Sequence, residues 1–156
     1  MRPLYIFDLD GTLADITHRR HFVDGTGPEK SWPKFFAACV DDKPIPAVIR
    51  TMAAVWAGSL TSVWIWSGRS DEVEQETREW LIEHTIFGDP DAESIQLKMR
   101  RAGDYTPDEV LKQSWLDALS PEDRSRIVAV FDDRDRVVEM WRRNGIPCFQ
   151  VAPGDF

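Results

Sequence analysis

Asp8 and Asp10 stand two residues apart in Phe7-Asp8-Leu9-Asp10-Gly11-Thr12-Leu13-Ala14, behind an apolar run and ahead of a Gly-Thr turn. Alternate side chains of an extended segment share a face, so both carboxylates approach one side, while the turn at Gly11 can lift the second away from the first. One acid can then attack an electrophile while the other moves protons. Carboxylates this close repel each other unless a cation sits between them. Three later segments carry matching chemistry. Ser67-Gly68-Arg69-Ser70 can present a hydroxyl and backbone N–H groups to a phosphate oxygen, and the planar fork of Arg69 suits the same ligand. Asp108 and Lys112 are four apart on one helical face, which by itself fits a surface ion pair. Lys98, Arg100 and Arg101 compete with Lys112 for the role of the cation that balances carboxylates and phosphate in one pocket. Asp132-Asp133 closes the set behind the apolar run Ile127 to Phe131. Adjacent acids in such a place cost desolvation and repulsion unless a metal compensates them. With only oxygen donors at hand, that metal is Mg²⁺ rather than zinc.

The elements that must position these groups alternate. Apolar or β-branched runs at Leu4 to Phe7, Ser62 to Trp66, Ile95 to Met99, Ile127 to Phe131 and Pro147 to Val151 read as strands. Helical spacing covers Ala47 to Ala57, Asp71 to about His84, and Arg136 to Arg143 before Gly145. Thr106-Pro107-Asp108-Glu109 reads as a helix start with Thr as N-cap and Glu closing a capping box. A Gly88-Asp89-Pro90-Asp91 loop precedes the third strand. This pattern predicts an α/β fold, a three-layer doubly wound (Rossmann-like), mostly parallel sheet, whose ligands lie beyond the strands' carboxyl ends. The polar and aromatic stretch from Asp15 to Lys43 reads as a small cap-like insertion after the first strand of one domain spanning residues 1–156. Its Gly25-Thr26-Gly27-Pro28-Glu29-Lys30-Ser31 is no P-loop, because Glu29 replaces the required glycine and no strand leads in.

The net charge of −8 opposes a protein that grips long nucleic acid by phosphate neutralisation, though a few arginines can hold an end or a nucleotide. Cys39 and Cys148 read as free thiols of a reducing compartment. No leader and no bilayer-length apolar run is visible, so a cytoplasmic protein without a membrane partner is expected. Oligomeric state is not encoded in any of these features.

In order and residue type, the four segments resemble the haloacid dehalogenase (HAD) superfamily of phosphotransferases. The resemblance implies that Asp8 attacks phosphorus to give an aspartyl-phosphate, and that Asp10 protonates the leaving oxygen and later activates water. It also implies that Ser67 and Lys112 hold the phosphoryl group, and that Mg²⁺ is held by Asp8, the Asp10 carbonyl and Asp132 or Asp133. Dehalogenases of the superfamily lack the second acid, so the presence of Asp10 favours phosphate esters. More narrowly, Phe7 to Ala14, Asp132-Asp133-Arg134, Val137 to Arg143, Gly145, Cys148, Gln150-Val151-Ala152 and Gly154-Asp155-Phe156 resemble the 3′-phosphatase domain of bacteriophage polynucleotide kinase/phosphatase. That resemblance adds Arg19, nine residues after the second acid, with Arg69, Asp108 and Lys112 as site residues; Thr12 and Gly68 belong to the substrate-binding set. The family's P-loop kinase domain has no counterpart in these 156 residues, so no 5′-kinase activity is expected. The implied activity is removal of a 3′-phosphate from a nucleic-acid end or 3′-nucleotide. A nucleotidase acting on nucleoside 5′-monophosphates is the second reading, and a non-enzymatic phospho-receiver module, whose acid pair follows its first strand, is the remote third.

Overall fold

The computed structural model describes residues 1–58, 60–85 and 95–155. The predicted Gly88-Asp89-Pro90-Asp91 loop and the terminal Phe156 lie outside them.

Five strands form one parallel sheet in the order β5-β4-β1-β6-β7: β1 is Leu4–Phe7, β4 Ser62–Ser70, β5 Ile95–Arg100, β6 Ile127–Asp132 and β7 Cys148–Gln150. Alternation along the central strands builds two cores. Leu4, Ile6, Trp64, Trp66 and Val130 pack with Leu116 of α4 (Asp108–Asp117) and Val137, Val138, Met140 and Trp141 of α6 (Asp135–Arg143). Phe7, Val63 and Ile65 point the other way, onto Met52 of α2 (Pro46–Trp56) and Trp80 of α3 (Glu74–His84). Helices therefore cover both faces, and strands apolar on both sides are what such burial demands. This is the three-layer, doubly wound arrangement that the sequence predicts.

The first strand is left through a tight turn in which Thr12, Leu13 and Ala14 all donate backbone N–H groups to the Leu9 carbonyl. Antiparallel β2 (Ala14–Asp15) and β3 (Lys43–Pro44) then pair with each other. Between them lie a 3₁₀ turn at Thr17–Phe22, helix α1 (Trp32–Ala37) and a second 3₁₀ turn at Ala38–Asp41. Ile16, Phe35, Phe36 and Cys39 of this segment form a small core with Val73. Where a P-loop was rejected, Ser31 caps α1 by accepting from the Lys34 N–H at 3.4 Å.

Two expectations need correction, and one element is added. Ser67 to Ser70 is not a free turn but the end of β4, because β5 keeps pairing as far as Ser70 and Arg100, with a register shift that bulges the chain between Ser67 and Ser70. The capping box at Thr106 does not form. Pro107 is the N-cap residue, and the Thr106 carbonyl instead accepts from Arg100 Nη1 at 2.6 Å. A short helix, α5 (Pro121–Ser125), capped by Ser120, went unread although Ser-Pro-Glu-Asp is a good helix start. Cys39 and Cys148 are free and buried. Among the described residues no helix is long and apolar enough to cross a membrane.

Candidate active site

Strand register assembles the floor of the site. Phe7 aligns with Ile65 on one side and Phe131 on the other, so the next residue, Asp8, lies level with Trp66 and Asp132, and its N–H donates to the Phe131 carbonyl at 2.9 Å. Asp8, Asp132 and Asp133 are all buried, and each offers an oxygen within 4.8 Å of the others. Lys112, from α4, enters this group. Its Nζ donates to Asp8 Oδ1 and to Asp132 Oδ2, both at 2.7 Å. Thr12 Oγ1 donates to Asp133 Oδ1 at 3.3 Å. Gly11 makes that close approach possible: its φ of +83° is left-handed, and a Cβ there would collide with the Asp133 carboxylate.

Three buried carboxylates surround one ammonium, and the proton affinities of Asp8 and Asp133 are raised. Burial pushes Asp8 well above the ordinary carboxylate range; Lys112 opposes this, and Asp132 and Asp133 add to it. Burial and the neighbouring Asp132 push Asp133 up to about 6. Burial works against the charged form of Lys112, but Asp132 and Asp8 override it and keep the side chain protonated. A cluster of buried oxygen donors still short of positive charge fits a hard divalent cation such as Mg²⁺.

Asp10 leaves this cluster. Its Oδ1 accepts from Arg19 Nη2 at 2.8 Å, from Arg69 Nε at 3.1 Å and from Arg69 Nη2. Burial would raise its pKa, but Arg69 and Arg19 bring it down to about 2. Behind the arginines lies Asp42, fully buried. Asp42 Oδ1 takes Arg19 Nε at 2.7 Å, and Oδ2 takes Arg19 Nη2 and Arg69 Nη2, each at 2.7 Å. His18 Nε2 is 2.9 Å from Asp42 Oδ1, and Trp80 Nε1 donates to the Asp42 carbonyl at 2.7 Å. Arg19 also donates to the Phe35 carbonyl at 3.2 Å and lies over the Phe35 ring.

Of the predicted site residues, Asp8, Asp10, Gly68, Arg69, Asp108, Lys112, Asp132 and Asp133 line one cleft, whereas Thr12, Arg19 and Ser67 are fully buried. Arg19 is buried and turned to two carboxylates, whereas Arg69 also reaches the cleft. The bland alternative for Asp108 and Lys112, a surface ion pair, is replaced: Lys112 faces the acids, while Asp108 Oδ2 accepts from Arg134 Nη1 at 2.6 Å and its Oδ1 from Arg100. Lys98, one of the competing cations, lies over the rings of Trp66 and Trp115 instead. The Ser67 hydroxyl accepts the Arg69 N–H at 3.1 Å. Gly68 is needed for Asp108, since a Cβ there would stand 2.6 Å from Asp108 Oδ1. Asp42 and Arg100 carry roles that sequence reasoning did not assign; for Asp42 the only signal was an acid at the return point of the inserted segment.

These groups open into a cleft of about 750 Å³, walled by Trp32, Phe35 and Phe36 on the inserted segment and by Tyr105 to Pro107 before α4. The clustered acids on the floor, one buried lysine and arginine-held Asp10 equip it for nucleophilic attack with separate proton transfer.

Residues 2–156 match the family described as the polynucleotide kinase PNKP phosphatase domain. A protein of Autographa californica nuclear polyhedrosis virus, named as a bifunctional polynucleotide kinase/RNA ligase, is 31% identical over 140 residues, 90% of this chain and 18% of its own length. In the solved Pnkp1/Rnl/Hen1 RNA repair complex, a chain 27% identical superposes with a TM-score of 0.74 over 99% of this chain and 44% of that one. CbbY from Rhodobacter sphaeroides in complex with phosphate, 18% identical, has a TM-score of 0.58 over the whole of this chain and 88% of its own, a likeness of fold. The chain therefore spans less than half the length of the repair relatives that it matches.

Proposed function

This chain belongs to the polynucleotide kinase PNKP phosphatase domain family and is a phosphatase of the HAD type, and we propose that it removes the 3′-phosphate from a nucleic-acid end through an aspartyl-phosphate on Asp8. The observation that carries the reading is the Lys112 ammonium shared between buried Asp8 and Asp132 at the floor of a cleft that also holds Asp10. We read residues 1–156 as one phosphatase domain with residues 15–43 as its small cap.

Asp8 attacks phosphorus, the bond from phosphorus to the 3′ oxygen breaks, and Asp10 delivers a proton to that oxygen. Water then attacks the phosphorus of the acyl-phosphate while Asp10 takes up the water proton; the bond to Asp8 opens and inorganic phosphate leaves. Lys112, the Ser67 hydroxyl, Thr12 and the backbone at Gly68 hold the transferring oxygens. With a pKa of about 2, Asp10 is a carboxylate in the free protein, the form required of the base in the second step. Its acid form is favoured as the incoming phosphate places negative charge beside it.

Asp8, the Asp10 carbonyl and Asp132 or Asp133 would hold Mg²⁺, which supplies charge neutralisation to the phosphoryl group and to the acids themselves. The donor set fits it, being all oxygen and short of positive charge.

Support for a nucleic-acid end comes from the family and from the repair relatives. The deciding experiment scores phosphate released, with Mg²⁺, from matched 3′- and 5′-phosphorylated oligonucleotides and from 3′- and 5′-mononucleotides. Release from 3′ ends, lost in Asp8→Asn and Asp10→Asn, is the expected result. Preference for 5′-mononucleotides would replace the reading with a nucleotidase, and full activity in Asp8→Asn would overturn the covalent route.

A further inference from the structure

The cleft is far larger than the chemistry on its floor requires. At about 750 Å³ it has the size of sites that enclose a drug-sized ligand rather than a bare phosphate. Its upper part differs in character from the floor. The wall on the inserted segment is aromatic and apolar, with Trp32, Phe35 and Phe36 in mutual ring contact. Facing the same space is Tyr105, whose residue surface is 73% exposed and which, among the described residues, has no hydrogen bond or ring contact.

Tyr105 nonetheless sits on a fastened loop. Arg100 Nη1 donates to the carbonyls of both flanking residues, Asp104 at 3.2 Å and Thr106 at 2.6 Å. The Thr106 N–H donates to Asp104 Oδ1 at 2.9 Å, and the Asp104 N–H to the Arg101 carbonyl at 3.0 Å. The backbone on either side of the ring is therefore fixed, and the ring itself, with no packing partner in the protein, is presented to the cleft as a surface on which a base can stack. Cations complete the mouth: Lys30 and Arg136 are exposed and line the same cleft, in a chain of net charge −8. Among the acids Asp24, Asp104 and Glu109 that line the same cleft, these two cations are discrete points at which a phosphate of an entering polyanion can pair.

On the reading given above, which this inference deepens, we infer that Tyr105 stacks the nucleobase of the 3′-terminal nucleotide against the aromatic wall of the cleft, and that Lys30 and Arg136 receive the phosphate on its 5′ side. The substrate is then an oligonucleotide end whose last base is unpaired, read by ring stacking and backbone charge and not by base identity, since every base has a π-face.

The test compares a 3′-phosphorylated oligonucleotide with the same molecule carrying an abasic terminal sugar, in wild type, Tyr105→Ala and Tyr105→Phe. Tyr105→Ala should lower kcat/KM about ten-fold on the intact end, mainly through KM, as expected for loss of one base–aromatic stack. The ratio of wild type to Tyr105→Ala should fall towards one on the abasic end, and Tyr105→Phe should restore most of the loss because the ring remains. Arg136→Ala should weaken the oligonucleotide more than the 3′-mononucleotide, which has no neighbouring phosphate. An equal Tyr105→Ala loss on both ends would assign the residue a merely structural part and overturn the inference, as would no loss on either. If wild type turns over the intact end but the variants match it, only the stacking is wrong. If wild type releases no phosphate from any 3′ end, the function falls first.

Discussion

The ammonium of Lys112 stands 2.7 Å from Oδ1 of Asp8, 104 residues away in sequence, and it is the only cation found in hydrogen-bond contact with that carboxylate among the described residues. Lys112→Met should abolish phosphatase activity and, without metal at neutral pH, lower unfolding stability by ~3–5 kcal/mol, because it leaves buried acids uncompensated. Urea unfolding of wild type and variant measures this; a loss below ~1 kcal/mol would show that the acids find other relief.

Asp10 makes acid unfolding predictable in sign. Its pKa lies at about 2 in the folded protein against 3.8 as a free side chain, so the folded state binds that proton more weakly. The stabilisation, ~2 kcal/mol, is fully present above pH 3.8 and is lost as pH falls through about 2. The stability difference between wild type and Asp10→Asn, followed by urea unfolding from neutral pH downwards, should shrink over that window.

Asp133 has the opposite sign. Raised to about 6, it takes a proton more readily in the folded state, so its contribution is greatest below pH 3.8 and is lost as pH rises through about 6. Metal competes for the same oxygens. Millimolar Mg²⁺ should raise Tm at neutral pH, and that rise should diminish below pH 6 as protons occupy the site. A shift independent of pH would place the ion elsewhere.

Gly68→Ala offers a test of tight packing at the rim. A methyl there meets Asp108 Oδ1 at 2.6 Å, and Asp108 cannot swing away without breaking its pairs with Arg100 and Arg134. A stability loss of ~1–3 kcal/mol is expected, with activity falling much further than the folded fraction. Full activity would mean that Asp108 and its arginines are dispensable.

What the sequence disclosed, and what it hid, follows one physical line. Strand-end acids are legible because an apolar run and its terminus are local, and Asp8, Asp132 and the sheet that brings them together could be read from runs of a few residues. Lys112 was ambiguous, since Asp108 offered it a local partner; the deciding partners, Asp8 and Asp132, are 104 and 20 residues away. Asp42 was invisible for the same reason: its arginines lie 23 and 27 residues off on either side, with no periodicity to connect them. The capping box at Thr106 failed because Asp104 Oδ1, two residues earlier, accepts the Thr106 N–H that Glu109 would have to reach.

The β2–β3 pair brings the two ends of the inserted segment, Asp15 and Lys43, onto adjoining backbone, so the segment between them can change length or composition without moving a strand of the main sheet. Yet Arg19 and Asp42 travel with it, and they set the charge around Asp10. A segment exchanged at these two ends would have to bring its own partners for the Asp10 carboxylate.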